Sequence, residues 1–566
     1  MKFPMYTVLL GEVFKMTMVK PHEELMAAGS LSQFQDDMGQ ALFVSHQWVS
    51  KSHPDPEFKQ FRVLQEALRN IISGASHIST DMITEAVFGL SRGITASMLQ
   101  SSPLYLWYDY FSCPQSPDDK ICGESSQQRA ISSIPAYISK CHFFMALCPV
   151  VDSPDESQVF SQFTWAGRGW CRVEQAVREL SSHGGFWILV KSAKHQEITT
   201  PLTIDSPGGG EGNFTVEHDR AAVAPVLKTV LKGKLLTYLV QGDFVNYRIL
   251  LNQQNARLRG LPTASNDDLV PGFEAPKAGE ESETHLAKFL YQNGFQHALE
   301  RDQAGWSTLC YAAVRGDPIL IEALLERRAD PNDKITRAQP QLGIDKGTPA
   351  MRVLIAAGAK ISVGGVLQAA LSCACYVDDA EAVRYLCNSG GDPNEKNTFG
   401  VSALRQACVT GSLQAMAALL EHSDRVDLSL SLHWVAMGQG GSAKAIDLLI
   451  KAQADVNEQY RPSMLSPFGM LWRIKGLQHR PGGRTTLLRS VGYHHYEATP
   501  LMIAIICGNY EAAAALVVRG ARLDLRNSRN KTASDLARDL SSPDYLMAAL
   551  GGQMAKCNSV VSRAGM

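Results

Sequence analysis

The chain has 566 residues, too many for a single hydrophobic core, so two or three domains are expected. Its 54 basic and 56 acidic side chains leave a net charge near −2, which gives no global field toward nucleic acid or an anionic membrane and argues against both as partners. The apolar fraction of 45% is ordinary for a soluble protein, and no apolar run reaches the ~18 residues of a spanning helix.

The 12 cysteines are scattered through apolar runs without framework spacing or a C-x-x-C pair, the pattern of buried free thiols in a reducing, cytoplasmic compartment and not of a zinc site. The opening segment Met1 to Leu10 is broken by Glu12 and Lys15 and has no small-residue cleavage site, so it reads as part of the fold.

Residues 41 to 48 (Ala-Leu-Phe-Val-Ser-His-Gln-Trp) are an apolar run ending in polar groups, the pattern of a buried parallel strand and the loop after it. Phe58, Phe61, Leu64, Leu68 and Ile71 then recur at helical spacing. A second strand is expected over Leu104 to Phe111, stopped by Pro114 and Pro117, and a helix over Gln127 to Lys140 with a kink at Pro135. His142 to Cys148 reads as a strand, Arg168 to Leu180 as a helix, and Gly185 to Val190 as another strand. This alternation predicts an α/β domain whose ligands meet the carboxyl ends of its strands. The segment Ile198 to Asp219 reads as a Gly- and Pro-rich loop; its Gly208-Gly-Gly210 lacks the lysine and context of a phosphate loop. Residues 222 to 258 read as helical.

The expected boundaries are an α/β domain with a helical extension over 1–260, a polar linker over 261–284, repeats over 285–545 and a tail over 546–566. In the repeats, Asn332, Ser362, Asn394, Asp427, Asn457 and Asp524 occupy equivalent turns about 30 to 33 residues apart, with a double interval last. The units Gly305-Trp-Ser-Thr-Leu309, Gly400-Val-Ser-Ala-Leu404 and Thr499-Pro-Leu501, with Leu324-Leu325 and Leu419-Leu420, resemble the ankyrin repeat. That resemblance implies an all-α solenoid that binds a protein partner. The consensus histidine of the Thr-Pro-Leu-His element is replaced by Cys310, Arg405 and Met502, which removes its usual hydrogen bonds.

The double interval holds a basic insertion at 458–497 with Arg461, Arg473, Lys475, Arg480, Arg484, Arg489, Trp472 and Tyr493, and no acid between Arg461 and Glu497. It reads either as a surface for an acidic partner or phosphates, or as a decayed repeat with a solvated loop.

Three polar motifs fall at expected strand or helix ends: Phe43-Val-Ser-His-Gln-Trp48, Leu106-Trp-Tyr-Asp109 with Cys113-Pro-Gln115, and Arg168-Gly-Trp-Cys-Arg-Val-Glu174. With Ile131 to Tyr137 they resemble the heterokaryon-incompatibility domain, and Phe43-Val-Ser45 with Trp170-Cys-Arg-Val-Glu174 resembles the TIR domain. The resemblance covers roughly residues 40 to 195. It implies a flavodoxin-like α/β fold, self-association of the N-terminal domain and a signalling role.

It also implies NAD as substrate, with Glu174 as the catalytic carboxylate of an NAD glycohydrolase. Ser45, His46 and Asp109 would then face the ribose or phosphates, and Trp48 or Trp170 would form an aromatic wall. No resident cofactor or metal is required. His46 stands where TIR domains usually carry an aromatic, and the TIR loop after the second strand has no match.

Each residue also has a plainer reading. Glu174 suits a helix-start carboxylate on a solvated face, and in either reading its place in the first turn or two of the helix favours its ionised form; the tryptophans suit a core, His46 and His53 hydrogen-bonded loops, and Asp109 a turn cap.

Overall fold

The computed structural model describes residues 1–88, 94–116, 124–182, 186–200, 208–276, 280–333, 348–360, 370–397, 400–422, 426–438, 441–463, 466–480 and 485–564. Pro117, Gly185, Ser362 and Arg484, named above, lie outside them. Contacts divide the chain into two compact units, one of residues 1–200, 408–411 and 428–566, the other of 201–407 and 412–427.

The first unit is built on a mixed sheet. Its strands are β1 (Tyr6–Leu9), β2 (Ser32–Gln33), β3 (Gln40–Ser45), β4 (Ser79–Thr80), β5 (Leu104–Trp107), β6 (Phe143–Leu147), β7 (Trp187–Ser192) and β8 (His195–Thr199). They lie in the order β2-β1-β5-β3-β6-β7-β8-β4. The central four, β5, β3, β6 and β7, are mutually parallel, so by chain order they run 2-1-3-4. Strands β1 and β8 flank them antiparallel.

The parallel strands are the continuous apolar runs that two covered faces require, with Leu42, Phe43, Val44, Phe144, Met145, Ile188 and Val190 all buried. Helix α1 (Lys59–Ser73) turns Phe61, Leu64, Leu68 and Ile71 onto one face, and α2 (Gly169–Leu180) buries Cys171, Val173, Val177 and Leu180.

Several expectations change. Strand β5 ends at Trp107 because Asp109–Ser112 closes a helical turn, with Cys113 N–H on Asp109 O. The helix expected over Gln127 to Lys140 is two, Ser126–Ile131 and Ile134–Lys140, because Pro135 sits at the start of a new helix instead of kinking an old one. Ile198 and Thr199 belong to β8, not to a loop. The opening segment supplies β1, paired to β5 through Val8 and Leu106.

The same unit contains the last repeats. Helices α3 (Ser431–Met437) and α4 (Ala443–Lys451) stack on α7 (Pro500–Ile506) and α8 (Tyr510–Val518). Asn457 accepts the Arg522 N–H at 2.7 Å and joins the two turns directly. The double interval between them is therefore not a lost layer. It is a hairpin of α5 (Pro467–Leu477) and α6 (Leu487–His494) inserted beside the stack, which corrects the solvated-loop reading. Trp472 is buried in it and donates to the Tyr460 hydroxyl at 3.0 Å.

The stack meets the sheet along β7 and β8. The buried Lys191 Nζ donates to Glu197 Oε1 at 2.9 Å, to Cys507 O at 3.0 Å and to Asn509 Oδ1 at 3.1 Å. Lys475 pairs with Glu85 at 2.8 Å, Arg563 with Glu156 at 2.7 Å, and Lys556 with Asp152.

In the second unit, residues 218–258 are helical as expected, in helices His218–Gln241, Phe244–Asn252 and Gln254–Leu258. Helix Phe244–Asn252 packs Ile249 against Leu286, Phe289, Trp306 and Tyr311 of the first repeats. Gly208-Gly-Gly210 serves a close chain crossing, since a Cβ on Gly210 would lie 2.1 Å from the Gly260 carbonyl carbon. The turn asparagines again link neighbours, with Asn332 accepting from Lys360 N–H at 2.8 Å and Asn394 from Asp427 N–H at 2.6 Å. Where the consensus histidine is missing, the helix start keeps a hydroxyl cap: Cys310 N–H donates to Ser307, Arg405 N–H to Ser402 and Met502 N–H to Thr499.

Candidate functional site

Parallel pairing of Phe43 with Trp107 brings the residues two beyond each, Ser45 and Asp109, to the same carboxyl edge of the sheet. There His46 Nε2 meets Asp109 Oδ1 at 2.8 Å, and Trp48 Nε1 donates to Asp109 Oδ2 at 2.7 Å. The His46 ring lies flat on Tyr108, centroids 3.8 Å apart. Asp109 is thus clamped by two ring donors, and its side chain still keeps 32% of its surface open to solvent.

Glu174 is carried into this cluster by α2. It is the sixth residue of that helix, past the first turn, and shares a face with Cys171 and Arg178, three before and four after. Cys171 Sγ contacts His46 O at 3.7 Å, and Arg178 donates to Cys141 O at 2.8 Å and His142 O at 3.0 Å, so both ends of that face are held against the strands.

The Glu174 carboxyl does not sit on a solvated face, and one of its oxygens, Oε2, is buried with no hydrogen-bond partner among the described residues. Burial first, then the charge of Asp109, pushes it up to about 8; the Ser45 hydroxyl and the Arg168 charge pull the other way. The expectation that the helix start keeps Glu174 ionised is therefore reversed, because desolvation outweighs a dipole that fades beyond the first turn.

Asp109 goes the other way. Burial alone would raise it, but the charge and hydrogen bond of His46 and the bond from Trp48 outweigh that and lower its pKa. Near neutral pH the cluster then holds a neutral carboxylic acid beside a carboxylate, the division of labour used in general acid and base chemistry. Burial also pushes the Cys171 and Cys113 thiols up, so they pack as neutral thiols and not as nucleophiles.

Sequence reasoning placed Ser45, His46, Trp48, Asp109 and Glu174 together, and the structure gathers all five. Trp170 lies half-buried in the first turn of α2, and Trp107 is core, stacked on Phe43 at 4.4 Å. Trp165 was missed: its Nε1 donates to Ser45 Oγ at 3.0 Å. The signal for it is Ser161, which starts the short helix Gln162–Gly167 in a capping box. His53 is a hydrogen-bonded loop histidine, on Val19 O at 3.0 Å and Asp55 N–H at 3.0 Å. Among the described residues no three His, Cys, Asp or Glu side chains are placed to hold a metal ion, and no helix is long and apolar enough to cross a membrane.

Residues 369–460 match the family of ankyrin repeats in three copies, and residues 496–528 match a further ankyrin repeat. The α5–α6 hairpin falls in the gap between these matches. No curated protein matches the chain. The C-terminal part therefore contains ankyrin repeats, which imply protein–protein interaction.

Proposed function

We propose that this is a signalling protein in which the ankyrin repeats bind a protein partner and an α/β domain of the heterokaryon-incompatibility and TIR-like type passes the event on, by self-association or docking. The observation that carries it is the buried tie from Lys191 to Glu197, Cys507 and Asn509, which joins the last repeats to the sheet inside one compact unit. A change in the stack reaches the strands without crossing a loose linker. The 2-1-3-4 order of the parallel strands is the flavodoxin-like order, which supports the family reading. The test is hydrogen exchange of the full chain with and without a partner captured from its own cells. Slower exchange over residues 40–48 and 104–112 on binding is expected, and an unchanged strand end overturns transmission.

A second reading, an NAD glycohydrolase, is favoured by the buried unpartnered Oε2 of Glu174 beside Asp109. In it the Glu174 carboxylate stabilises oxocarbenium-like charge as nicotinamide leaves. His46 and Trp48 are already bonded to Asp109, which leaves Glu174, with Ser45 beside it, for the ribose. Because the working form is the anion, nicotinamide release by the full chain should rise with pH through about 8 and vanish in Glu174→Gln. Turnover unchanged in the variant overturns this reading.

A further inference from the structure

The α5–α6 hairpin is built with care in a place where the repeat stack does not need it. The repeats on either side of it stack directly, yet Gly476 and Gly492 let its two helices touch backbone to backbone, since a Cβ on Gly476 would lie 2.4 Å from Gly492 O. Trp472 and Phe468 fill its inner side, Phe468 edge-on to Trp434 at 5.2 Å.

The outer side is different. Met470, Ile474 and Leu477, at i, i+4 and i+7, form an apolar stripe on α5, exposed by 53%, 53% and 81%. Arg473 flanks the stripe on the same helix, and Arg480 follows just after it; both are exposed and neither makes an ion pair among the described residues. The insertion offers them no acid of its own between Arg461 and Glu497. Lys475 points the other way and is used on Glu85.

We propose that this outer face of α5 is a docking surface for an acidic amphipathic helix of a protein partner, its apolar residues on Met470, Ile474 and Leu477 and its carboxylates on Arg473 and Arg480. Charge complementarity selects the occupant. A second copy of this chain in a two-fold contact would set the Arg473 of one α5 against the same basic rim of the other, which opposes pairing. A bilayer would gain only three apolar side chains from an 11-residue helix whose other side is packed, too little for a stable anchor.

The experiment selects a displayed library of 16-residue helical peptides on the full chain and measures the enriched peptides against the chain and two variants. Expected are sequences with Leu, Ile or Phe at i, i+4 and i+7 and Asp or Glu beside them. They should bind roughly ten- to a hundredfold more weakly to Ile474→Asp/Leu477→Asp, and about tenfold more weakly to Arg473→Glu, with affinity falling as salt rises. All three side chains are exposed, so the variants should melt with the parent. Enrichment indifferent to these substitutions overturns the proposal. So does binding of the chain to phosphatidylcholine/phosphatidylserine vesicles that Leu477→Asp abolishes, or a dimer in sedimentation that the same change dissolves.

Discussion

Lys191→Met tests the tie between the sheet and the last repeats. Lys191 and Glu197 have side chains only 7% and 4% exposed, so removing the ammonium leaves a buried carboxylate with the His195 ring against it at 2.5 Å and the Asp81 carboxyl nearby. Breaking one side of such a pair costs about 3–5 kcal/mol. The depressed pKa of Glu197 gives a similar size for Lys191 and His195 taken together. Burial would raise Glu197, but the charges and bonds of Lys191 and His195 hold it at about 2 against an ordinary 4.5, worth about 3 kcal/mol at ~1.4 per unit.

The sign follows from a depressed acid: the stabilisation is fully present above pH ~4.5 and drains away as pH falls toward about 2. Urea unfolding of the parent and Lys191→Met should therefore differ by about 3 kcal/mol at neutral pH, and the difference should shrink below pH ~4. Lys191→Met/Glu197→Leu should recover most of the loss, because an apolar pair carries no unpaired charge. A deficit under about 1 kcal/mol at neutral pH, or one that does not narrow in acid, would refute the reasoning.

Three further outcomes are expected. Glu174, raised to about 8, weakens the fold as pH climbs from about 4.5 through 8, since the folded state holds the proton longer; thermal unfolding of Glu174→Gln should lack that decline and exceed the parent most at pH ~8. Gly508 has φ +65° and a Cβ there would lie 2.7 Å from the His195 ring, whereas Gly520, at φ +89°, opens on free space. Gly508→Ala should lower the melting temperature clearly more than Gly520→Ala, and equal shifts would contradict the packing of the repeats on β8. Proteolysis near Gly272 should leave the fragment bearing residues 1–200 bound to the one bearing 428–566 in size exclusion, and separation of the two would contradict their shared unit.

What was legible in the sequence is what local chemistry controls. The four apolar runs from Ala41 to Val190 announce buried parallel strands, and the motif positions at their ends predict that Ser45 and Asp109 meet, because parallel strands carry their polar ends to one edge. The turn asparagines announce the repeats, because each bonds across to the next turn. Short edge strands such as Ser79–Thr80 and Ser32–Gln33 have no pattern long enough to read, and exist because a neighbour is there to pair with.

The state of Glu174 was misread for a related reason. Helix position is local and favours the anion, but burial comes from α2 being pressed on the strands by Arg178 and Cys171, and that term is the larger. Lys191 makes the same case at longer range. In sequence it is a lysine ending an apolar strand, ordinary for an exposed edge, and the partners that bury it, Cys507 and Asn509, stand 316 and 318 residues away. A buried lysine needs its charge met, so once the repeats close over β7 the carbonyl of Cys507, the amide of Asn509 and the carboxylate of Glu197 become one structural requirement. The fold of the sheet edge and the position of the last ankyrin repeats are then set together.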